Sequence, residues 1–139
     1  MKAVDDELIL IQDEIRESFG WSIESDLKSA ALLVLECKNS EPKLRLEGKV
    51  TVVGAAAEPG VKTRYPTLVA DGAIGAIADL SSVALIVTDG DGTPHIEKAL
   101  NQGIPICLHA HGDNIESWSG ILSKIDNEQE VLLTHQTPG

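Results

Sequence analysis

Aromatic rings are scarce in this sequence: one phenylalanine, one tyrosine and two tryptophans among 139 residues. Phe19, Trp21, Tyr65 and Trp118 are too few to build a stacking ladder for nucleic-acid bases. Positive charge is scarce as well. Eleven Lys and Arg stand against twenty-two Asp and Glu, a formal net charge of −11, so a phosphate backbone would meet a repulsive field. Nucleic acid is not an expected partner. A small polyphosphate remains admissible where a divalent cation lies between the two sets of negative charge. Cysteine is limited to Cys37, in a helical pattern, and Cys107, in a strand pattern. A disulfide framework is not expected, and both are read as buried small hydrophobes. No apolar run approaches the ~20 residues that span a bilayer. The opening MKAVDDELILIQDE is acidic and amphipathic, unlike a secretory signal. A membrane is therefore not an expected partner, and cytoplasm is the default compartment.

What is present reads as two styles of chain. Leu8, Ile11, Ile15 and Phe19 recur at helical spacing over residues 5–19, with Asp5 as N-cap and Gly20 as stop. A second helical pattern runs over 24–38, capped by Ser22 or Ser25, with Leu27, Ala31, Val34 and Leu35 on its apolar side. Residues 39–42 then break the chain. The division drawn from this is an N-terminal helical pair over 1–46 and an α/β core over 47–139.

From Leu46 onward, short and nearly continuous apolar runs alternate with helical segments. The strands are expected at 50–53, 68–70, 83–87, 104–108 and 131–133. The helices between them are expected at 73–80, 94–102 and 115–125. Strands apolar on both sides belong to a parallel sheet, which predicts a doubly wound, mainly parallel α/β fold. Thr93, Pro94 and Gly103 supply a cap, a first-turn proline and a stop for one of these helices. Ile115, Trp118, Leu122 and Ile125 form one apolar stripe and are read as core.

Ligands of open α/β sheets bind beyond the carboxyl ends of the strands, and four of these ends are polar or glycine-rich. They read Gly54-Ala-Ala-Ala-Glu58, Asp71-Gly72-Ala73, Thr88-Asp-Gly-Asp-Gly-Thr93 and His109-Ala-His-Gly-Asp-Asn114. Asp89 and Asp91, one glycine apart, can turn toward one hard cation, and Gly90 and Gly92 permit the tight path. An Asp-Gly pair is also a common turn former. Asp71 has the same two readings. Asp113 or Asn114 suits the N-cap of the following helix. His109 and His111 are expected to face opposite ways across the strand end. With Asp113 they form only a weak transition-metal pattern, so hydrogen bonding to a ligand or orienting a metal-bound carboxylate is the expected role. His95 and His135 are read as solvated. GAAAEPG lacks the second glycine of a dinucleotide fingerprint. Lys62 and Arg64 are read as exposed loop charges, with contact to a phosphate as the other possibility.

LIVTDGDGT, over 85–93, resembles the first motif of haloacid-dehalogenase-type phosphatases. That family needs a lysine and a further acidic motif well downstream, and Gly112-Asp-Asn114 comes too early for it. ADGA (70–73), VTDGDG (87–92) and HAHGDN (109–114), in this order and spacing, resemble the archaeal 6-hydroxymethyl-7,8-dihydropterin pyrophosphokinase family, related to the thiamin pyrophosphokinase fold. The resemblance implies Mg²⁺-dependent transfer of diphosphate from ATP to a pterin, with AMP released, in methanopterin- or folate-type coenzyme synthesis. It implies metal binding by Asp89, Asp91 and Asp71, and catalytic roles for Asp89, Asp91 and Asp113. Substrate and nucleotide contacts would fall to Gly54, Asp71, Gly72, His109, His111 and Asn114. ATP and a pterin are the implied partners, and homo-oligomerisation is left open. A catalytically inactive nucleotide- or pterin-binding relative is the alternative. Three departures stand beside the resemblance. Ala56–Glu58 replaces the family's Gly-Pro-Ser type turn, Gly90 replaces a leucine, and the sequence stops at Gly139, where the family continues with another Gly/Asp-rich segment. The core is accordingly expected to be incomplete or divergent at its C-terminal end.

Overall fold

Each of the five apolar runs becomes a strand. The structure, a computed structural model, describes residues 6–37, 43–126 and 129–136; the expected cap at Asp5 and the break at 39–42 lie outside them. The strands are β1 (Thr51–Val53), β2 (Thr67–Ala70), β3 (Val83–Thr88), β4 (Ile106–Ala110) and β5 (Val131–His135). All four pairings are parallel. The α/β fold, the parallel sheet and the N-terminal helices are as predicted. The strands step across the sheet in chain order, β1-β2-β3-β4-β5, with no reversal of direction along the order.

The helices are α1 (Asp6–Phe19), α2 (Ile23–Glu36), α3 (Thr93–Leu100) and α4 (Ile115–Leu122). Ser22 caps α2, its hydroxyl accepting from the Ser25 amide at 3.4 Å. α3 starts differently from the sequence expectation: Gly92, in the left-handed region at φ 73°, takes the N-cap position, and Thr93 is already helical. The predicted helix at 73–80 is instead a 3₁₀ turn over Asp71–Ala76 and a second over Leu80–Ser82. The β2–β3 crossover closes through these two tight turns.

The core gathers Leu33 of α2, Ile96 of α3, Trp118 of α4 and Ile86, Ile106 and Leu108 of the central strands, all almost fully buried. Ile115, Leu122 and Ile125 pack against it, as the stripe predicted. Both cysteines are buried and unpaired. Burial, aided by the charge of Glu36, pushes the Cys37 thiol up to about 11.

α2 presents the opposite face from the one predicted. Asp26, Ser29, Ala30 and Leu33 are buried, whereas Leu27, Ala31, Val34 and Leu35 are exposed. The cause is polar. Asp26 and Ser29 carry hydrogen bonds to the strand-end loops and to α4, and a helix with apolar residues on several sides turns toward the partners that satisfy its buried polar groups.

Candidate active site

The four strand-end loops lie at one edge because all strands run the same way. β2 delivers Asp71 at φ +45°, the one non-glycine with positive φ among the described residues. Such a conformation costs of order 1 kcal/mol or more and persists only where surrounding contacts impose it. Here the contact is visible: the Asp71 carboxylate accepts from the Asp89 amide at 3.2 Å, joining the β2 and β3 loops.

The β3 loop closes on itself. Asp89 Oδ1 accepts from the Asp91 amide at 3.2 Å, and the buried Thr88 hydroxyl accepts from the Gly90 amide at 3.0 Å. The turn reading of TDGDG is thus realised. Gly90 and Gly92 have φ of 111° and 73°. A Cβ on Gly92 would lie 2.7 Å from the Cα and N of Gly72, so these loops meet backbone to backbone. A Cβ on Gly90 would come within 2.4 Å of Ser117 in α4. Gly54, just past β1, is exposed and has open space around it.

β4 ends at Ala110, and the turn follows at 112–113. The two histidine rings do not point apart as expected, because residues two apart share a face of an extended chain; their centroids are 6.1 Å from each other. His109 meets the Thr134 hydroxyl at 2.9 Å. His111 stands between two carboxylates, with Nε2 3.3 Å from Asp89 Oδ2 and Nδ1 2.9 Å from Asp113 Oδ1. Asp113 itself is largely exposed. Only a doubly protonated ring donates to both carboxylates at once.

Asn114 occupies the N-cap position of α4, but its side chain does not cap that helix. Its amide nitrogen donates to the main-chain carbonyls of Asp89 and His109, at 2.7 Å each, and its oxygen accepts from the His111 amide at 2.9 Å. The same oxygen accepts from Ser29, which in turn accepts from the indole of Trp118 at 3.1 Å. Gly112 is held by the buried Asp26, which accepts its amide at 2.7 Å and pairs with Arg16 at 3.1 Å.

The carboxylates are shifted apart. Burial raises Asp71 above the usual carboxylate range, and the charges of Asp89 and Asp91 add to this against the Thr88 hydroxyl and the Asp89 amide. Burial also opposes ionisation of Asp89. There the Asp91 amide and the His111 ring outweigh it, and the carboxyl sits below its usual range. Burial, reinforced by His111, holds His109 below the ordinary histidine value.

Among the described residues, no three His, Cys, Asp or Glu side chains converge as a ready metal cage. A zinc-type site needs such a cage. Mg²⁺ does not, since it keeps several waters and is commonly held through one or two carboxylates plus phosphate oxygens. Asp71 and Asp89 on adjacent loops, with the Asp91 charge close enough to raise Asp71, fit that requirement in donor type and in mutual repulsion awaiting a cation. Arg64 and Lys62 do not join them. Their segment leads into the start of β2, where Thr63 meets Ser82 at 2.5 Å, at the opposite edge of the sheet. His95 is exposed, with its ring lying over Gly75.

Beside the loops opens a cleft of about 710 Å³, lined by Leu8, Ile11, Ile15 and Trp21 on one side and by His111, Gly112 and Asp113 on the other.

No protein-family model matches the chain. A curated protein does: the 6-hydroxymethyl-7,8-dihydropterin pyrophosphokinase of Methanocaldococcus jannaschii is 32% identical over 139 aligned positions, taking in 85% of this chain. The two proteins are related. The chain spans 57% of the length of that pyrophosphokinase.

The relationship agrees with the resemblance carried by ADGA, VTDGDG and HAHGDN, and the structure gives a local reason for one departure from it. Where the family pattern has leucine, Gly90 is pressed against the first turn of α4, and no side chain fits there. Sequence reasoning missed Ser29, Thr88, Thr134 and the Arg16–Asp26 pair. Only Asp26 and Ser29 carried a signal, being polar residues that share a helical face with Ala30 and Leu33.

Proposed function

We propose that the chain catalyses Mg²⁺-dependent transfer of diphosphate from ATP to 6-hydroxymethyl-7,8-dihydropterin, releasing AMP. The observation that carries this is Asp71 fixed to the Asp89 amide, which brings the acidic ends of β2 and β3 together in a relative of a named pyrophosphokinase. Asp71, Asp89 and Asp91 would hold the metal. When bound, Mg²⁺ neutralises charge on the phosphates and orients them, which is most of what such a transfer requires.

The chain's own residues do the remaining work. The hydroxymethyl oxygen attacks the β-phosphorus of ATP, the bond from that phosphorus to the bridging oxygen breaks, and AMP leaves. The hydroxyl proton passes to a base, and the exposed Asp113 carboxylate, held beside His111 at the cleft wall, is the group in place to receive it. His109, kept neutral by burial, and the open Gly54 border the same edge. Asn114 positions rather than reacts, since all its bonds go to protein groups. The work is that of a cytoplasmic enzyme of pterin coenzyme synthesis.

The test is AMP release from ATP and Mg²⁺ with and without the pterin. Pterin-dependent AMP is the expected result. Binding of either substrate without AMP would instead assign the chain as a binding-only relative.

A further inference from the structure

We propose that the cleft between α1 and the His111–Asp113 loop receives the pterin ring, leaving the adjoining carboxylate edge to the phosphates. The proposal rests on the diphosphokinase reading and divides its site between the two substrates.

The first argument is continuity. His111 is at once a wall of the cleft and a neighbour of Asp89 at 3.3 Å, so a ring lodged in the cleft abuts the carboxylate cluster through one side chain. A transfer reaction requires that adjacency, because acceptor oxygen and phosphorus must meet within a few ångströms.

The second argument is the lining. Leu8, Ile11 and Ile15 form the apolar stripe of α1, yet they are 59%, 46% and 45% exposed. A helical stripe ordinarily faces a core; this one faces the cleft. Trp21, 56% exposed, closes one end and stacks on Phe19 at 4.9 Å. Flat heteroaromatic rings are held by such apolar and aromatic walls, with a few polar groups to fix orientation. Gln12 and Ser25, also in the lining, supply donors and acceptors for a ring edge.

The third argument is charge. Arg16, the one arginine or lysine in the lining, is buried against Asp26 at 3.1 Å, while Asp113 is 82% exposed beside His111. A triphosphate entering here would be repelled by that carboxylate, with no exposed lysine or arginine in the lining to offset it. A neutral bicycle would not. The volume of about 710 Å³ accommodates such a molecule with room to spare.

The experiment titrates 6-hydroxymethyl-7,8-dihydropterin, and separately a non-hydrolysable ATP analogue with Mg²⁺, into the intact chain by calorimetry, alongside steady-state AMP release. The variants are Ile15→Asp and Trp21→Ala, with Leu35→Asp as control, since Leu35 is 75% exposed and outside the cleft. A melt followed by circular dichroism confirms that each folds. Both cleft variants should weaken pterin binding and raise its KM by at least about tenfold, the scale of losing apolar pocket contacts. ATP-analogue affinity and the control should stay within about twofold, the scatter of uninvolved surface sites. Unchanged pterin affinity in both folded cleft variants, or loss of the nucleotide instead, overturns the assignment while leaving the diphosphokinase reading intact. A wild-type chain that neither binds pterin nor releases AMP overturns that reading and this one with it.

Discussion

The side-chain amide of Asn114 donates to the main-chain carbonyl of Asp89 at 2.7 Å, tying the start of α4 to the end of β3. Its second proton reaches His109, so one buried side chain sets the spacing of two site loops. Replacing it by alanine leaves two part-buried carbonyls and the His111 amide without this partner. The expected loss is about 2 to 3 kcal/mol in urea unfolding, the scale of stranding buried polar groups. A loss under about 0.5 kcal/mol would mean that water substitutes fully.

Asp89→Asn and Asp91→Asn should lower AMP release by about a hundredfold or more, the scale of losing one preorganised charge contact. The Asp91→Asn midpoint should stay near wild type, because Asp91 is exposed. Asp89→Asn should melt lower at pH 7, because it gives up the His111 contact that helps hold its carboxyl below the usual range. Full activity in either variant would refute its metal role.

Asp71 predicts a trade between stability and function. Its carboxyl is raised in the folded state, chiefly by burial. Such a group favours folding below its ordinary value of 3.8 and loses that contribution as pH rises through the folded value. At pH 7 the buried charge is therefore a liability. Asp71→Asn keeps the acceptor for the Asp89 amide, and asparagine tolerates positive φ. The variant should melt higher than wild type at pH 7 while losing activity, and the difference should vanish in acid below 3.8. Added Mg²⁺ should raise the wild-type midpoint and leave Asp71→Asn nearly unmoved. A variant that melts lower at pH 7 would show that burial of this charge is not what strains the loop.

Gly92→Ala combines left-handed strain with a Cβ at 2.7 Å from Gly72. It should cost about 2 kcal/mol or more and disturb Asp71, seen as loss of Mg²⁺-dependent stabilisation. Gly120→Ala is the opposite case. That position in α4 has nothing within 4 Å of the new methyl, and helix propensity predicts a gain of up to about 1 kcal/mol.

The strands were legible because all five are continuous apolar runs, and observed bounds differ from the predicted ones by one or two residues. The crossover after Asp71 was not, since Ala, Ile and Gly over 72–77 suit a helix and a 3₁₀ turn alike, and their spacing does not choose between them. The buried face of α2 misled for another reason. Its apolar residues outnumber the positions the core can take, and the choice was made by Asp26 and Ser29, whose partners Gly112, Asn114 and Trp118 lie more than 80 residues away. The candidate site was readable as a set of acidic strand ends. That Asp71 grips the Asp89 amide, or that Asn114 spans two loops instead of capping its helix, depends on loop geometry that no spacing encodes.

Strand order equal to chain order bears on how the molecule is made. Each of β2 to β5 pairs with the strand synthesised just before it, so a sheet emerging from the ribosome can add its rungs one at a time through short crossovers. α2 breaks this sequence, because it is made early but rests on β4, β5 and α4. Its docking must wait for the last strand. Pulse-labelled hydrogen exchange during refolding should therefore protect the β2–β3 amides before those of α2; protection of α2 first would show that the helix collapses onto a scaffold not yet complete.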